Sequence, residues 1–159
     1  MIAVDLSNRR GAMVPIREKI YRILSREHDM PNIIYWKQEN SRHVVDVNRK
    51  WLFAFNSEQD SREPKGLLFY RLAGEDVYVE DFAVSGPTAA GVLITKFEYE
   101  AGVKAATNFY FSQHIRRETN DQILETVGLQ DDSVFDENGY QHMGGLEDVV
   151  KALKVRYLT

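Results

Sequence analysis

The stretch GEDVYVEDFAVSG, residues 74–86, decides how this chain is expected to fold. Apolar and polar side chains alternate from Val77 to Val84, which is typical of a β-strand and places Glu80 and Asp81 on opposite faces. The residues at 73–76 predict a tight hairpin turn before the strand, and Ser85 to Thr88 predict another turn behind it. Because helical spacing begins directly afterwards, the chain is expected to change here from strand to helix.

Further strands are predicted on the N-terminal side of this stretch. The runs at 51–55 and 66–72 are rich in β-forming residues, so three successive strands are expected to form an antiparallel meander. Residues Ile2 to Leu6 fit a first strand. Behind Pro15, apolar residues at helical spacing predict a helix, and Ile33 to Trp36 suggest a second, shorter one.

On the C-terminal side, helices and strands alternate. Apolar residues from Ala89 to Ala101 predict a helix that ends at Gly102, and Ala105 to Phe111 predicts a fifth strand. A right-handed crossover would make the fourth and fifth strands parallel. The remaining expected elements are a helix through Ile123, Leu124 and Val127, a hairpin with strands at Val134–Phe135 and Tyr140–Met143, and an amphipathic helix from Leu146 to Tyr157.

This order predicts one α/β domain over residues 1–159: a twisted, mixed sheet with helices on both faces. A chain of 159 residues and 18.4 kDa fits one domain. Cysteine is absent, which excludes disulfides, thiolate metal sites and a cysteine nucleophile. The histidines show no metal-like spacing, so no metal is expected. The chain has no Walker loop, dinucleotide fingerprint or serine-nucleophile elbow.

The charge and hydropathy of the chain bear on partners and location. The net charge of −4 argues against broad capture of nucleic acid. The longest apolar runs are far shorter than the ~20 residues that span a bilayer, and the N-terminus lacks the order of a signal peptide. We therefore expect a cytoplasmic protein that binds neither nucleic acid nor membrane. The last helix could cover a sheet edge or dock on a second copy, and a homodimer is expected.

The succession of elements over about residues 1–143 is similar to that of the GCN5-related N-acetyltransferases. Three strings contribute to the resemblance: GEDVYVEDFAVSG at 74–86, ETVGLQ at 125–130 and FDENGYQHMGG at 135–145. The resemblance implies a splay between the fourth and fifth strands, with acetyl-CoA bound in the gap. It also implies transfer of an acyl group to an amine, here unknown. The helix at 146–157 is an addition to the family's pattern.

The resemblance also implies where the donor binds. In the family, main-chain amides at the start of the helix after the fourth strand cradle the pyrophosphate, as at other helix N-termini. The implied cofactor-binding residues are Phe82, Ala83, Val84, Ala89, Ala90, Gly91 and Val92. In the family's glycine signature, Gly91 agrees with the pattern, whereas Gly86 stands at an arginine or glutamine position and Ala89 at a glycine position.

The candidate catalytic residues are Glu80 and His114. Family members often carry a proton acceptor on the fourth strand, near Glu80, and His114 follows the fifth strand at the mouth of the implied cleft. The family's proton-donating tyrosine aligns with Leu124, which cannot donate a proton. Two functions therefore compete: an acetyl-CoA-dependent N-acyltransferase, and a catalytically silent relative that acts as a binding or regulatory module.

Overall fold

One six-stranded sheet organises the part of the chain that this computed structural model describes, which is residues 1–7, 19–20, 22–23, 49–57, 59–60, 63–112 and 139–158. The strands are β1 (Ile2–Asp5), β2 (Arg49–Phe55), β3 (Gly66–Ala73), β4 (Asp76–Val84), β5 (Asn108–Ser112) and β6 (Tyr140–Gly144). The helices are α1 (Pro87–Val103) and α2 (Leu146–Leu158). Residues 19, 20, 22 and 23 are also helical.

The strands lie in chain order from β1 to β6 and are antiparallel except for the parallel pair of β4 and β5. The meander and the crossover are therefore confirmed. The pairing of β4 with β5 runs from Asp76–Asn108 to Val79–Phe111, while β4 itself continues to Val84. The two strands are thus joined at one end and divided at the other, which confirms the expected splay.

Both faces of the sheet are covered by apolar side chains and by helical residues. On the face covered by α1 and α2, called here the α1/α2 face, the larger buried side chains are Leu52, Leu68, Tyr70, Val77, Val79, Phe82, Leu93, Ile94, Phe97, Phe109, Phe111, Met143, Val149, Leu153 and Tyr157. On the other side, called the opposite face, they are Leu6, Ile20, Ile23, Trp51, Phe53, Phe55, Leu67, Phe69 and Ala83. Helical Ile20 and Ile23 belong to this second cluster, so helices on both faces are confirmed.

Some predicted elements lie outside the described residues. They are the helix at Ile33 to Trp36, the helix through Ile123, Leu124 and Val127, and the strand at Val134–Phe135. The added C-terminal helix is present, and it packs against α1 of the same chain. Its place is therefore on the helix layer and not along an edge of the sheet.

The junction between α1 and β5 differs from the sequence prediction. The strand begins at Asn108 and not at Ala105, because Ala105 has a left-handed backbone with φ of 52°. The Ala106 N–H donates to Ala101 O at 3.1 Å, a bond that wraps the chain around the helix end. Gly102, the predicted stop, lies inside the last helical turn.

A partly buried hydrogen bond joins α1 to the sheet, and it should make stability depend on pH. The Tyr70 hydroxyl donates to the Glu100 carboxylate, which also pairs with Lys96 Nζ at 3.3 Å. Burial, followed by the bond to Glu100, raises the pKa of Tyr70. Neutral Tyr70 is therefore favoured in the fold, and its contribution is complete below the unfolded pKa of about 10 and is lost as the pH rises above it.

We accordingly expect Tyr70→Phe to lower the free energy of unfolding by about 1–2 kcal/mol at pH 7. Above pH 10 the native protein should lose up to about 1.4 kcal/mol per pH unit through Tyr70, and the variant should lack this part of the slope. Urea unfolding of both proteins at pH 7, 9.5 and 11 measures the difference. If the free energy of unfolding falls equally in the two proteins between pH 9.5 and 11, Tyr70 is not the source of this pH dependence.

Candidate functional site

A β-bulge in β4 lies where the sheet divides. Tyr70 on β3 is opposite Val79, but its neighbour Phe69 is opposite Asp81, so Glu80 is an additional residue in β4. The pairing of β4 with β5 ends at Val79, directly before the bulge. The bulge and the division of the sheet therefore occur at the same place.

The Glu80 carboxylate lies on the opposite face, as does Tyr78 two residues earlier in β4. Glu80 Oε1 lies 3.6 Å from Arg49 Nε and 3.7 Å from Arg71 Nε. Arg71 is adjacent to Tyr70 in β3, and since Tyr70 packs on the α1/α2 face, Arg71 points the other way. Only 19% of the Glu80 side chain is exposed. Two guanidinium groups next to a largely covered carboxylate favour its ionised form.

Asp81 shares that face. It is opposite Phe69, which packs on the opposite face, and it is 7% exposed. The expectation that Glu80 and Asp81 face opposite sides is therefore wrong. The physical reason is the bulge, because an additional residue in one strand interrupts the alternation of side chains. Beyond it Phe82 packs on the α1/α2 face, whereas Ala83 packs on the opposite face.

A row of planar side chains crosses four strands beside Glu80. The Arg71 guanidinium lies over the Tyr78 ring at 4.5 Å, and Tyr78 stacks on Tyr110 with centroids 4.9 Å apart. Tyr110 contacts His142 at 5.1 Å, and Tyr140 meets Tyr78 edge-on at 4.8 Å. Each such contact contributes about 0.5–1.5 kcal/mol. The row joins β4 to β5 in the part of the sheet where these two strands are paired.

No motif in the sequence indicates this row. Arg71 is the register partner of Tyr78, Tyr78 of Tyr110, and Tyr110 of His142. The contacts of the row follow from the cross-strand register, so they can be recognised only after the strands are aligned. Arg49 and Arg71 were missed as partners of Glu80 for the same reason.

The main chain of β4 presents N–H groups to the gap. The Ser85 N–H donates to Lys65 O at 2.8 Å, on the side of β3. Because successive N–H groups of a strand point to alternate sides, the Ala83 N–H also points to β3. The N–H groups of Phe82 and Val84 therefore point away from β3, toward the gap.

Helix α1 begins next to these groups. Its N-cap is Gly86, whose backbone is extended and which provides no side-chain cap, and Pro87 follows. The Ala90 N–H donates to Gly86 O at 3.1 Å, so the N–H groups of Thr88 and Ala89 precede the first helical bond. The first turn contains no acidic residue. Such a helix start favours an anion through its unpaired N–H groups and its dipole.

The structure brings the seven implied cofactor-binding residues together at this junction. Phe82, Ala83, Ala89 and Ala90 are buried, whereas Val84, Gly91 and Val92 are half-buried. The edge of the Tyr157 ring rests on Phe82, with centroids 4.7 Å apart and planes inclined at 78°. A Cβ at Gly91 would lie 3.6 Å from Leu158 Cδ2. The end of α2 thus covers part of the site.

The other candidates are distributed as follows. His114 and Leu124 lie outside the described residues. His142 is exposed at the end of the planar row. Within the described ranges, no group of three or more histidine or acidic side chains could hold a metal ion. None of the helices in those ranges is long and apolar enough to cross a bilayer.

Comparison with known proteins bears on the fold. No family model and no curated protein matches the sequence. Among solved structures, Tetrahymena GCN5 matches with a TM-score of 0.50 and 14% identity over 70% of each chain. Aminoglycoside 6'-acetyltransferase type Ii matches with a TM-score of 0.51 and 13% identity over 74% of this chain and 76% of the other. The divided sheet and these likenesses together give the chain the fold of the GCN5-related N-acetyltransferases.

Proposed function

We propose that the chain is an acetyl-CoA-dependent N-acyltransferase that acts on an amine. One observation carries this proposal: the division of the sheet, the gap-facing N–H groups of Phe82 and Val84 and the start of α1 occur at one junction. The strand edge offers donors to an extended amide chain, and the helix start favours phosphate. An extended amide chain and phosphate groups are the two parts of a CoA thioester, so the junction offers a binding feature to each.

In the proposed reaction, the strand N–H groups near Ala83 and Val84 polarise the thioester carbonyl. Of these two, the Val84 N–H is the one that points to the gap. Such donors stabilise the negative charge that develops on the oxygen during acyl transfer. As the new C–N bond forms and the C–S bond breaks, Glu80 or His114 accepts the proton that the amine loses, directly or through water. CoA leaves as the thiolate and takes a proton from water.

The ion pairs of Glu80 limit how it can act. The carboxylate lies 3.6 Å from Arg49 Nε and 3.7 Å from Arg71 Nε, and these ion pairs hold it in place. A bridging water that passes the proton from the amine to Glu80 fits this environment, because the proton transfer to the carboxylate then needs to be only partly complete in the transition state. For His114, the proposed role rests on the resemblance and on its place after the fifth strand.

Calorimetry with acetyl-CoA and with CoA tests the donor site. Binding, followed by acetylation within a panel of amines, is the expected result. If neither compound binds up to millimolar concentration, the proposal fails. Loss of turnover in Glu80→Gln or His114→Ala would identify the proton acceptor.

A substitution at the start of α1 should separate donor binding from stability. Thr88 is exposed in the first turn. We expect Thr88→Glu to weaken CoA binding about tenfold, because a carboxylate there repels phosphate, while the free energy of unfolding stays level or rises by about 0.5 kcal/mol through the helix dipole. Thr88→Gln, the neutral control, should bind CoA like the native protein. Equal affinities of the Glu and Gln variants would place the phosphates elsewhere.

The alternative is a catalytically silent relative that acts as a binding or regulatory module. The contact of Tyr157 with Phe82 favours it, because the end of α2 covers part of the donor site. Leucine at position 124, in place of the family's tyrosine, points the same way. This alternative would be supported if the protein binds the donor but turns over no amine, and if Glu80→Gln leaves donor binding unchanged.

We also propose that the chain forms a homodimer. Helix α2 packs on its own chain, and among the described residues β1 is an outer strand of the sheet, beside the exposed side chains of Met1 and Tyr99. An edge strand with apolar neighbours is a surface that proteins commonly cover by association. Light scattering at micromolar concentration should give about twice the chain mass, and a value near 18.4 kDa would contradict the proposal.

A further inference from the structure

We propose that the last turn of α2, residues 155–158, is a built-in gate that closes the donor site and must move aside before a CoA thioester can bind. This inference rests on the proposed function, since it assigns a regulation to the same site. The gate belongs to the helix that is an addition to the family's pattern.

The first observation is the contact of Tyr157 with β4. Phe82 lies beyond the bulge, in the part of β4 that has no pairing with β5, and is 1% exposed. The Tyr157 ring covers it in an edge-to-face contact at 4.7 Å. A ligand that follows the gap edge of β4 on the α1/α2 face would lie beside Phe82, where Tyr157 now sits.

The second observation is the position of Leu158 beside Gly91 of α1. Leu158 Cδ2 lies 3.6 Å from the position of a Cβ at Gly91, just behind the first turn of the helix. The two side chains at the end of α2 therefore reach both the strand and the helix start that the donor would use. A single turn covers both parts of the site.

The third observation is the uneven burial of α2. Val149, Ala152 and Leu153 are 0–1% exposed and anchor the helix in the core. In the last turn, Val155 is 46% and Leu158 is 39% exposed, and Tyr157 at 9% is the one buried side chain. Helix ends open more readily than helix centres, so the last turn can unwind while the anchor stays in place.

Because only open molecules can bind the donor, the gate reduces the apparent affinity in proportion to the fraction of molecules that are open. If about 1–10% of molecules are open, the apparent affinity falls about 10- to 100-fold. Removing the Tyr157 ring removes the contact that favours the closed form. The affinity should then rise toward its intrinsic value.

Three single variants test the gate by calorimetry with CoA. We expect Tyr157→Ala to bind CoA about 10- to 100-fold more tightly than the native chain and Leu158→Ser several-fold more tightly. Val155→Ser is the matched control, because it makes a similar change in the same turn at a half-exposed side chain that lines a different groove, with Glu98 and Lys151. Its affinity should equal that of the native chain. Circular dichroism verifies that each variant is folded, and Leu158→Ser carries the test if Tyr157→Ala is not.

Hydrogen exchange of the native chain gives a readout without any substitution. Saturating CoA should accelerate exchange of the amides at 155–158 while it slows exchange at Thr88 and Ala89. If the native chain binds CoA but the variants bind no more tightly, or CoA slows exchange at 155–158, the gate is refuted and the donor site stands. If neither the native chain nor the variants bind CoA at millimolar concentration, the donor site is refuted and the gate with it. Binding by the variants at micromolar concentration, with binding by the native chain only near millimolar concentration, would support both.

Discussion

Glu80→Gln is expected to lower the turnover of an amine acceptor by about 10²- to 10⁴-fold, the usual contribution of a general base. The amide cannot accept the proton that the amine loses. The free energy of unfolding should fall as well, by about 2 kcal/mol, because Arg49 and Arg71 lose the negative charge between them. Steady-state kinetics and urea unfolding measure the two effects on the same protein.

Arg71→Gln is the matched control for this substitution. It removes one ion-pair partner but keeps the carboxylate, so turnover should persist. The acid limb of the pH–rate profile should move to higher pH, because a positive charge that favours the ionised carboxylate is gone. If Glu80→Gln turns over the amine at the native rate, Glu80 has a structural role as the anion between two arginines. The proton acceptor would then be sought at His114.

Phe97→Ala is expected to lower the free energy of unfolding by about 3–5 kcal/mol, the largest effect on stability in this group. Phe97 is 0% exposed and lies between two other rings, with centroids 5.1 Å from Tyr70 and 5.8 Å from Phe109. Alanine would leave a cavity between α1 and the sheet, and two edge-to-face contacts would be lost as well. Urea unfolding at pH 7 measures the change.

Val103→Ala is the control on the same helix. Its side chain is 66% exposed, so the free energy of unfolding should change by no more than about 0.5 kcal/mol. A loss in Phe97→Ala as small as that of Val103→Ala would mean that α1 is not anchored through this ring. Because α1 carries the proposed phosphate site at its first turn, such a result would also weaken the donor proposal.

The bulge at Glu80 links the fold to the proposed chemistry. It interrupts the alternation of β4 at the residue where β5 stops pairing, so Asp81 joins Glu80 on the opposite face. Beyond it, the main chain of Phe82 and Val84 presents N–H groups to the gap. The proton acceptor Glu80 and the carbonyl-polarising N–H group of Val84 in the proposed reaction therefore come from one short segment of β4.

The sequence by itself determined the order and type of the described elements. Strand periodicity at 51–55, 66–72 and 77–84 predicted the meander, and helical spacing from Ala89 predicted α1 and with it the parallel crossover. These signals are local, because a strand or helix with one buried face must repeat its apolar residues at the period of its own backbone. The resemblance in element order then implied the splay.

Only the tertiary structure decided the details of the site. The register between β3 and β4 makes Glu80 a bulge, and the docking of α2 on α1 brings Tyr157 to Phe82. The left-handed Ala105, which delays β5 to Asn108, also follows from fitting α1 to the strand. Each feature depends on how separate elements pair or pack with one another. Local periodicity carries no information about such contacts, because many registers and docking positions bury the same apolar faces.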